Sequence, residues 1–442
     1  MIKPNLTEIL PTHDVYSHID QKTADIIAHQ FGTPIFIMHE QGILNRFRAF
    51  NNAVTKHYSH AKVAISYKTN LISGLLALLH HEGALPEVVS GIEYNVALKI
   101  RQKNQPIIFN GPMKKDHELT QAIQDGALIN CDHSDEVIRI EQIAKVLQKR
   151  VPIGIRIYFN DDKDNWNRFG FPVSLNLSQQ PTIDLIKRII ASPNLQFAGI
   201  HTHIGTNIRD IQIFSQLSQR LNQFTLELKQ HLNIELQWID VGGGLAGISP
   251  RIDENRLLPH PLPNAEEYAK AIIKPLQPYL SSLKNPATLF FEPGRTIFEA
   301  FGSLLTRVVG KRDQDASGIP GYICDAGINT LSTSYVYNFP IQTFATSNNI
   351  NKAYLYGPTC MQNDQLHTPT ELPLLQSNDL LLFHGVGSYC MAFSYSFIRL
   401  KPGVVLLRDN NEITWLRQPE TLEHYAALEH LPDHVRYHHV TA

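Results

Sequence analysis

Short apolar runs rich in β-branched residues alternate along this chain with longer segments in which apolar residues recur at helical spacing. Eight such runs occur between residues 60 and 295: HAKVAISYK (60–68), LPEVVS (85–90), PIIFNG (106–111), ALINCD (127–132), VPIGIRIYF (151–159), FAGIHTHIG (197–205), LQWIDVGGG (236–244) and ATLFFEPGR (287–295). Continuous apolar runs are typical of parallel strands buried on both faces. The alternation predicts an α/β fold, either a closed (β/α)8 TIM barrel or an open doubly wound sheet, and the number of repeats favours the barrel.

The chain changes character after residue 295, where short strand-like runs are separated by Gly, Pro, Asn and Asp turns. Such spacing is typical of a β-sandwich or a β-barrel. A further apolar run, PIFIMH at 34–39, comes before the eight runs. We therefore predict a barrel domain at 34–295 and a second, mostly β domain formed by residues 1–33 and 296–442.

Composition and charge narrow the classes of function. The 442 residues are 43% hydrophobic and carry a formal net charge of −2. A chain this close to neutrality has no overall field that attracts nucleic acid or an anionic membrane. The N-terminal residues lack the apolar core of a signal peptide, and no window approaches the roughly 18 apolar residues of a membrane span. We expect a cytoplasmic protein with no nucleic-acid or membrane partner.

Cysteine and histidine spacing indicates neither disulfides nor a metal. The four cysteines lie far apart in a chain too large to need disulfide bonds, so reduced thiols are expected. The 21 histidines are scattered, and neither HExxH nor CxxC spacing occurs. The sequence therefore predicts no metal site.

The carboxyl ends of the predicted strands carry polar residues and glycines. These are Lys68, Ser90, Asn110, Asp132, Arg156, His203, Gly242–Gly244 and Glu292–Arg295. Active sites of (β/α)8 barrels lie at this end of the strands. A lysine at the mouth of a buried strand is costly unless it is paired or modified, so we interpret Lys68 as the attachment point of a cofactor.

Three of these strand ends add groups that suit one cofactor in particular. The glycines at 242–244 let the backbone approach an anion such as phosphate, although a tight turn would need the same residues. The same strand ends also carry an imidazole at His203, a hydroxyl at Thr206, a carboxylate at Glu292 and a guanidinium at Arg295. An amine, phosphate donors, a face for a flat ring and an acid for its nitrogen are what pyridoxal phosphate requires.

Eight motifs in this order resemble one enzyme family over nearly the whole chain. They are SYKTN (66–70), VVSGIE (88–93), HTHIGT (201–206), DVGGG (240–244), FFEPGR (290–295), DAGINTL (325–331), GPTC (357–360) and GSYCMAFS (387–394). The chain is similar to the fold-type III pyridoxal-phosphate decarboxylases, the group that includes diaminopimelate, ornithine and arginine decarboxylases. The resemblance implies an alanine racemase-like barrel with a second β domain and bound pyridoxal 5'-phosphate.

The resemblance implies a role for each matching barrel residue. Lys68 would form an imine with the cofactor, His203 would stack on its ring, and Glu292 would pair with the ring nitrogen. Arg156 would lie near the ring hydroxyl. The residues implied to surround the phosphate are Thr206, Gly243, Gly244, Gly294 and Arg295, although Arg295 is also a candidate for binding a substrate carboxylate.

Each of these roles has a structural alternative. Lys68 and Arg156 would form plain ion pairs, and His203 would be a satisfied core histidine. Glu292 would form a salt bridge with Arg295 at the rim.

In the second domain, the resemblance makes Cys360 the acid that returns a proton to the substrate Cα in the partner subunit's site. This implies a head-to-tail homodimer with shared active sites, and a buried structural cysteine is the alternative. Tyr389 matches a tyrosine that contacts the cofactor. A second register of the motif, beginning at Gly385, would place Gly387 there instead.

Two substrate-binding positions depart from the family pattern. Diaminopimelate and ornithine decarboxylases carry an acid directly after the motif cysteine, whereas this chain has Met361 and reaches an acid only at Asp364. The region that binds the distal carboxylate of diaminopimelate keeps Tyr337 but lacks the arginine. A methionine cannot pair with a buried ammonium. We therefore predict decarboxylation of an amino acid with a modified or neutral far end, as in siderophore or antibiotic pathways, with diaminopimelate or another diamino acid as the alternative.

Three other functions compete with this prediction. An amino-acid racemase would share the barrel, but a carboxylate such as Glu292 keeps the ring nitrogen protonated and favours loss of carbon dioxide. A non-catalytic cofactor-binding homologue would typically lack the cofactor residues that are present here. A metal-dependent barrel hydrolase would need more ligands than His201 and His203.

Overall fold

The computed structural model describes residues 19–160, 168–178, 180–249, 252, 262–313, 318–430 and 432. The strands are β1 Ile35–His39, β2 Ala61–Ser66, β3 Leu85–Val88, β4 Ile108–Phe109, β5 Leu128–Cys131, β6 Val151–Phe159, β7 Phe171–Val173, β8 Leu195–His201, β9 Trp238–Asp240, β10 Thr288–Phe291, β11 Gly302–Arg312, β12 Gly321–Cys324, β13 Ile341–Thr343, β14 Ile350–Tyr356, β15 Gln365–Pro373, β16 Leu380–His384, β17 Val404–Leu407 and β18 Ile413–Arg417. The helices are α1 Gln21–Phe31, α2 Glu40–His57, α3 Ser73–His81, α4 Gly91–Ile100, α5 Asp116–Asp125, α6 Ser134–Val146, α7 Pro181–Ala191, α8 Ile211–Leu232, α9 Ala265–Ser282, α10 Arg295–Phe298, α11 Cys390–Phe393 and α12 Leu422–Ala426.

Eight parallel strands close into a barrel in the order β5-β4-β3-β2-β10-β9-β8-β6, and β6 pairs again with β5. Each of the eight predicted apolar runs overlaps one of these strands, so the (β/α)8 barrel is confirmed and the open sheet is excluded. The short strand β7 adds to the edge of β6 outside the ring.

Side-chain size explains how the barrel interior fills. Trp238 of β9 packs inside the barrel with Ala64, Leu85 and Phe290. A Cβ added to Gly199 on the neighbouring strand would overlap the Trp238 indole, so glycine is needed there. The main hydrophobic core lies between the outer face of the strands and the surrounding helices.

Local capping sets where the helices begin. Asn264 and Glu267 form a reciprocal capping box at the start of α9, and the Asp210 carboxylate accepts a hydrogen bond from the Gln212 N–H at the start of α8. Because α8 and α9 follow β8 and β9, these caps also fix the loops at the mouth of the barrel. No helix in the described part of the chain is both long and apolar enough to cross a membrane.

The second domain is a mixed sheet in the order β15-β14-β12-β11-β1-β17-β18, with β16 pairing to β11 and β13. The mostly β second domain is therefore confirmed, while residues 1–18 lie outside the described part of the chain.

The prediction that the barrel domain begins at residue 34 is wrong for the strand at 35–39. This strand, β1, pairs antiparallel with β11 and parallel with β17, both in the second domain. Its Ile35 and Ile37 pack with Ile27 of α1 and Val405 of β17. An apolar run predicts a buried strand, but it does not specify which sheet the strand joins.

Candidate active site

Lys68 lies directly after β2 on a short turn at the barrel mouth. Its Nζ donates to the Ser66 Oγ at 2.7 Å and to the Glu87 Oε2 at 3.0 Å, and 36% of its side chain is exposed. Burial lowers the pKa of Lys68, but the carboxylates of Glu87 and Glu292 outweigh burial and raise the pKa overall. The ion pair therefore holds the amine at the mouth, where an aldehyde can reach it.

Asn110 connects the two carboxylates that flank Lys68. Its Nδ2 donates to the Glu87 Oε1 at 3.0 Å and to the Glu292 Oε1 at 2.6 Å. Its Oδ1 accepts a hydrogen bond of 2.9 Å from Asn130, which fixes the orientation of the Asn110 amide. Glu87 and Glu292 are both buried, so β3, β4 and β10 present one connected polar layer beneath the mouth.

Glu292 shares its buried position with Asp240 of β9. Burial raises the pKa of Asp240 to about 7, although a hydrogen bond with Glu292 opposes this change. Burial and the charge of Asp240 raise the pKa of Glu292 well above its usual value. The two groups together hold a proton at neutral pH. The alternative for Glu292, a salt bridge with Arg295, is not formed, because Arg295 pairs with Glu299.

His201 completes this cluster. It is 2% exposed, its Nε2 lies 3.7 Å from the Glu292 Oε2, and neither ring nitrogen has a hydrogen-bond partner among the described residues. Burial and nearby cations, chiefly Arg156, lower the pKa of His201, so its imidazole is neutral.

The same cluster has the donor set of a cation site. One ligand atom each from His201, Asp240 and Glu292 lies within 4.8 Å of the others, which is a spacing that a metal ion could bridge. The prediction of no metal site rested on the absence of HExxH and CxxC spacing, and such local spacing does not detect two acids that are 52 residues apart in the sequence. The amine of Lys68 beside this cluster instead suits a cofactor that has both an aldehyde and a basic ring nitrogen.

His203 lies on the loop after β8 and contacts the glycine turn after β9. Its Nδ1 accepts a hydrogen bond of 3.1 Å from the Gly243 N–H. Burial and the neighbouring cations Lys68 and Arg156 lower the pKa of His203 to about 3, so the ring is neutral. A neutral flat imidazole can stack on an aromatic cofactor without a charge penalty.

The glycines of this turn leave no room for side chains. A Cβ on Gly243 would overlap the backbone oxygen of Glu292, and Gly244 adopts a φ of +92°. The Ile208 N–H donates to the Gly244 carbonyl at 2.9 Å, which joins this turn to the loop containing Thr206. The turn thus presents backbone without side chains, as in the cradles that bind phosphate.

Arg156 points from β6 toward the same mouth. Its Nη2 lies 3.5 Å from the His203 carbonyl oxygen, and its guanidinium lies 4.7 Å from the Phe169 ring centroid. Burial lowers the pKa of Arg156, and the carboxylates of Asp132 and Glu292 oppose that change. The position beside His203 agrees with the predicted place near a cofactor ring.

Two tyrosines of the second domain meet the barrel at Arg295. The guanidinium lies 4.6 Å from the Tyr337 ring and 5.0 Å from the Tyr389 ring, and it donates to the Tyr337 hydroxyl at 3.0 Å. The Tyr389 N–H donates to the carbonyl of Thr69 at 2.8 Å, next to Lys68. A Cβ on Gly387 would overlap the Phe298 carbonyl, so glycine is needed at that position, and the choice between the two registers stays a prediction.

Gly294 brings β10 against Lys68. A Cβ at Gly294 would overlap the side chain of Thr69, so glycine allows Arg295 to approach this wall closely. Lys68, His203, Glu292, Gly294, Arg295 and Tyr389 therefore surround one space, together with the glycine cradle. The residues present fit pyridoxal phosphate, because they include an amine for its aldehyde, an acid for its ring nitrogen, a flat ring to stack on it and a backbone turn that can bind its phosphate.

The loop after β14 lies apart from this space. Cys360 is exposed, and no hydrogen bond or ion pair among the described residues joins it to the barrel mouth. Met361 is half-buried, with its sulfur 4.0 Å from the Tyr395 hydroxyl. The predicted roles of both residues toward a partner subunit stay predictions.

Asp364 holds this loop together. Its carboxylate accepts hydrogen bonds from the Ile328 N–H at 2.7 Å, the Thr359 N–H at 2.8 Å and the Thr359 hydroxyl at 2.5 Å. We therefore correct the expectation that Asp364 contacts the substrate, because its oxygens are engaged by its own domain.

Several site residues were not assigned from the sequence. Glu87 had a detectable signal, since a lone carboxylate inside an apolar strand needs a partner. Asn110 stood at a predicted strand end without an assigned role. The contribution of Glu299 could not be detected, because it follows from contact with Arg295 and Ser249.

Known proteins are similar to this chain over both of its domains. Residues 40–299 match the family model described as pyridoxal-dependent decarboxylase, pyridoxal binding domain. The chain is 27% identical over 434 residues to the diaminopimelate decarboxylase of Methanocaldococcus jannaschii, covering 94% of this chain and 95% of that protein. It is 29% identical over 420 residues to the diaminopimelate decarboxylase of Vibrio cholerae, covering 91% and 94% respectively. The crystal structure of the M. jannaschii enzyme with L-lysine aligns with a TM-score of 0.83 at 26% identity, covering 93% of this chain and 95% of that one.

Proposed function

Because the chain belongs to the family of pyridoxal-dependent decarboxylases, we propose that it decarboxylates an amino acid whose far end is neutral, such as an acylated diamino acid. The chain is a pyridoxal-phosphate-dependent amino-acid decarboxylase and hence a lyase. The cofactor supplies a ring that accepts the electron pair left when the bond between Cα and the carboxylate breaks. The identity of the substrate is the part that we propose.

The residues of this chain prepare the site for that reaction in distinct ways. Lys68 would hold the cofactor through its amine, and the neutral ring of His203 would support one face of the cofactor ring. Glu292, kept in place by Asn110 and sharing a proton with Asp240, presents a hydrogen-bonding acid where a ring nitrogen would lie. The acids and the amide beneath the mouth are themselves buried, and fixed charges act most strongly in such surroundings.

One observation supports the neutral far end. An open cavity of about 380 Å³ lies beside Met361 on the second domain, and none of the described residues that line it is Asp, Glu, Lys, Arg or His. The lining residues are Ile328, Ser332, Tyr335, Met361, Asn363, Phe393 and Tyr395. A surface of aromatic rings, a thioether and neutral polar groups suits an acyl or amide group, whereas an ammonium would lack a charged partner there.

We further propose that this cavity meets the barrel mouth of a second copy in a head-to-tail homodimer. Tyr335 and Phe393 are 69% and 57% exposed, and Cys360 is exposed beside them. Large apolar side chains clustered at the surface are typical of an interface. This arrangement would bring Cys360 to the partner's site as a proton donor.

The alternative substrate is diaminopimelate, which the names of the relatives favour. Both the M. jannaschii and V. cholerae proteins are diaminopimelate decarboxylases. A racemase has no comparable support, since the family and the carboxyl group of Glu292 both indicate decarboxylation.

The test is carbon dioxide release from the purified holoenzyme with a panel of amino acids. The panel pairs lysine, ornithine and diaminopimelate with their acylated forms, and adds arginine. We expect kcat/KM for the preferred acylated amino acid to exceed that for diaminopimelate by about 100-fold, since an unpaired ammonium costs on the order of 3 kcal/mol. Faster turnover of diaminopimelate than of every acylated compound would contradict the proposal.

A further inference from the structure

Arg295 is a buried cation whose charge is already matched inside the protein. It is 7% exposed, and its guanidinium pairs with the carboxylate of Glu299, which is 1% exposed. The remaining polar contact among the described residues is to the Tyr337 hydroxyl, and the rings of Tyr337 and Tyr389 lie against the guanidinium. One internal carboxylate thus balances one internal cation.

Glu299 is held so that it cannot turn away from Arg295. Its Oε1 accepts a hydrogen bond of 2.7 Å from the Ser249 N–H. Gly247 lies directly against the carboxylate, because a Cβ at that position would overlap its oxygens. The Glu299 backbone oxygen accepts from the Gly387 N–H at 3.3 Å, which fixes the residue at both ends.

This ion pair lies on the wall of the active site. Arg295 follows Gly294, which packs on Thr69, and Thr69 is the residue after Lys68. A substrate carboxylate that approached Arg295 would also approach the carboxylate of Glu299 in a desolvated environment. Like charges brought together at a buried site oppose binding strongly.

We propose that Glu299 determines specificity by cancelling the charge of Arg295 and thereby excluding amino acids that carry a second carboxylate. The proposal rests on the proposed function, since it concerns the same site, and it adds the residue that rejects an anionic far end. Arg295 then acts as a flat, neutralised surface between two tyrosines.

The experiment compares two amino acids that differ only at the far end, 2-aminoheptanoate with a methyl group and 2-aminopimelate with a carboxylate. Their dissociation constants are measured by the spectral change of the cofactor in the wild-type holoenzyme and in Glu299→Gln. We expect the wild type to prefer 2-aminoheptanoate, and the variant to shift the ratio of the two constants toward 2-aminopimelate by about 10-fold. The exposed carboxylate variant Glu371→Gln should leave the ratio unchanged.

An unchanged ratio in a folded, cofactor-loaded Glu299→Gln protein would overturn the proposal. If that variant fails to fold or to hold the cofactor, the wild type decides the matter through competition by heptanoate and pimelate. Equal or stronger inhibition by pimelate would overturn the proposal, and weaker inhibition by pimelate would support it. Carbon dioxide release from the amino-acid panel reports separately on the proposed function, so the two failures are distinguishable.

Discussion

At the barrel mouth, Lys68, Glu87 and Asn110 hold one another through hydrogen bonds across neighbouring strands, whereas Cys360 and Met361 lie on a loop of the second domain with no such bond to the mouth. The first region is fixed by strand register within one chain. The second is fixed only within its own domain, by Asp364. The groups of the barrel mouth are therefore held in place within each chain, whereas the roles that we propose for Cys360 and Met361 require this loop to meet the mouth of a second copy.

Among changes at the barrel mouth, Lys68→Ala should have the largest effect. Loss of the amine removes the covalent attachment point of the cofactor, so we expect loss of its visible absorbance band and complete loss of decarboxylation. Lys62→Ala, an exposed lysine on the same strand, is the matched control and should retain both. A lysine-bound absorbance band in Lys68→Ala would assign the attachment to another residue.

Glu292→Gln should have the next largest effect. The amide keeps an acceptor for the Asn110 Nδ2 but cannot exchange a proton with a ring nitrogen, and loss of a hydrogen bond to a charged group in a buried site costs up to about 3 kcal/mol. We expect a fall in kcat on the order of 100-fold, with the cofactor still bound by absorbance. Normal kcat in a fully loaded variant would show that Glu292 does not assist the reaction.

Asp364→Ala tests the second region, the loop of the second domain. It leaves three donors on Ile328 and Thr359 without acceptors, so we expect the free energy of unfolding of the second domain to fall by about 3 kcal/mol. Chemical denaturation measures the change, and Asn363→Ala at the exposed neighbouring position is the control. Equal stability of the two variants would contradict the role given to Asp364.

Asp240→Asn should change the pH dependence of stability. Burial raises the pKa of Asp240 to about 7, so between its ordinary range and pH 7 the folded chain holds a proton that the unfolded chain has released. Stability from this group is therefore present in acid and is lost as pH rises to about 7, by at most about 1.4 kcal/mol per pH unit. Denaturation of the apoprotein across this range should show a shallower slope in Asp240→Asn, while the exposed variant Asp313→Asn keeps the wild-type slope. An unchanged slope in Asp240→Asn would show that the buried carboxyl titrates normally.

The barrel strands and the residues at their ends could be predicted because buried parallel strands have continuous apolar sequences. Lys68, His203 and Glu292 each follow or end such a run, and the closed barrel brings them together. The assignment of β1 to the other sheet could not be predicted, since its apolar residues suit either core.

In the second domain, the roles of two acids depend on contacts that the neighbouring sequence does not indicate. In the sequence, Asp364 looks like an acid available for substrate near the motif cysteine. In the structure, its oxygens accept hydrogen bonds from Ile328 and Thr359, which are 36 and 5 positions away. In the sequence, Glu299 is only an acid four residues after Arg295. The orientation of its carboxylate depends on contacts with Ser249 and Gly247 in a separate loop. Long-range contacts of this kind leave no periodic pattern.

The most direct test of the central claim is complementation between two inactive variants. Lys68→Ala and Cys360→Ala chains carrying different tags are coexpressed, and the mixed dimers are purified. If the second-domain loop acts in the partner's site, each purified mixed dimer has one intact site of two and shows about half of wild-type carbon dioxide release. Mixed dimers that form but show no more activity than the single variants would contradict the claim.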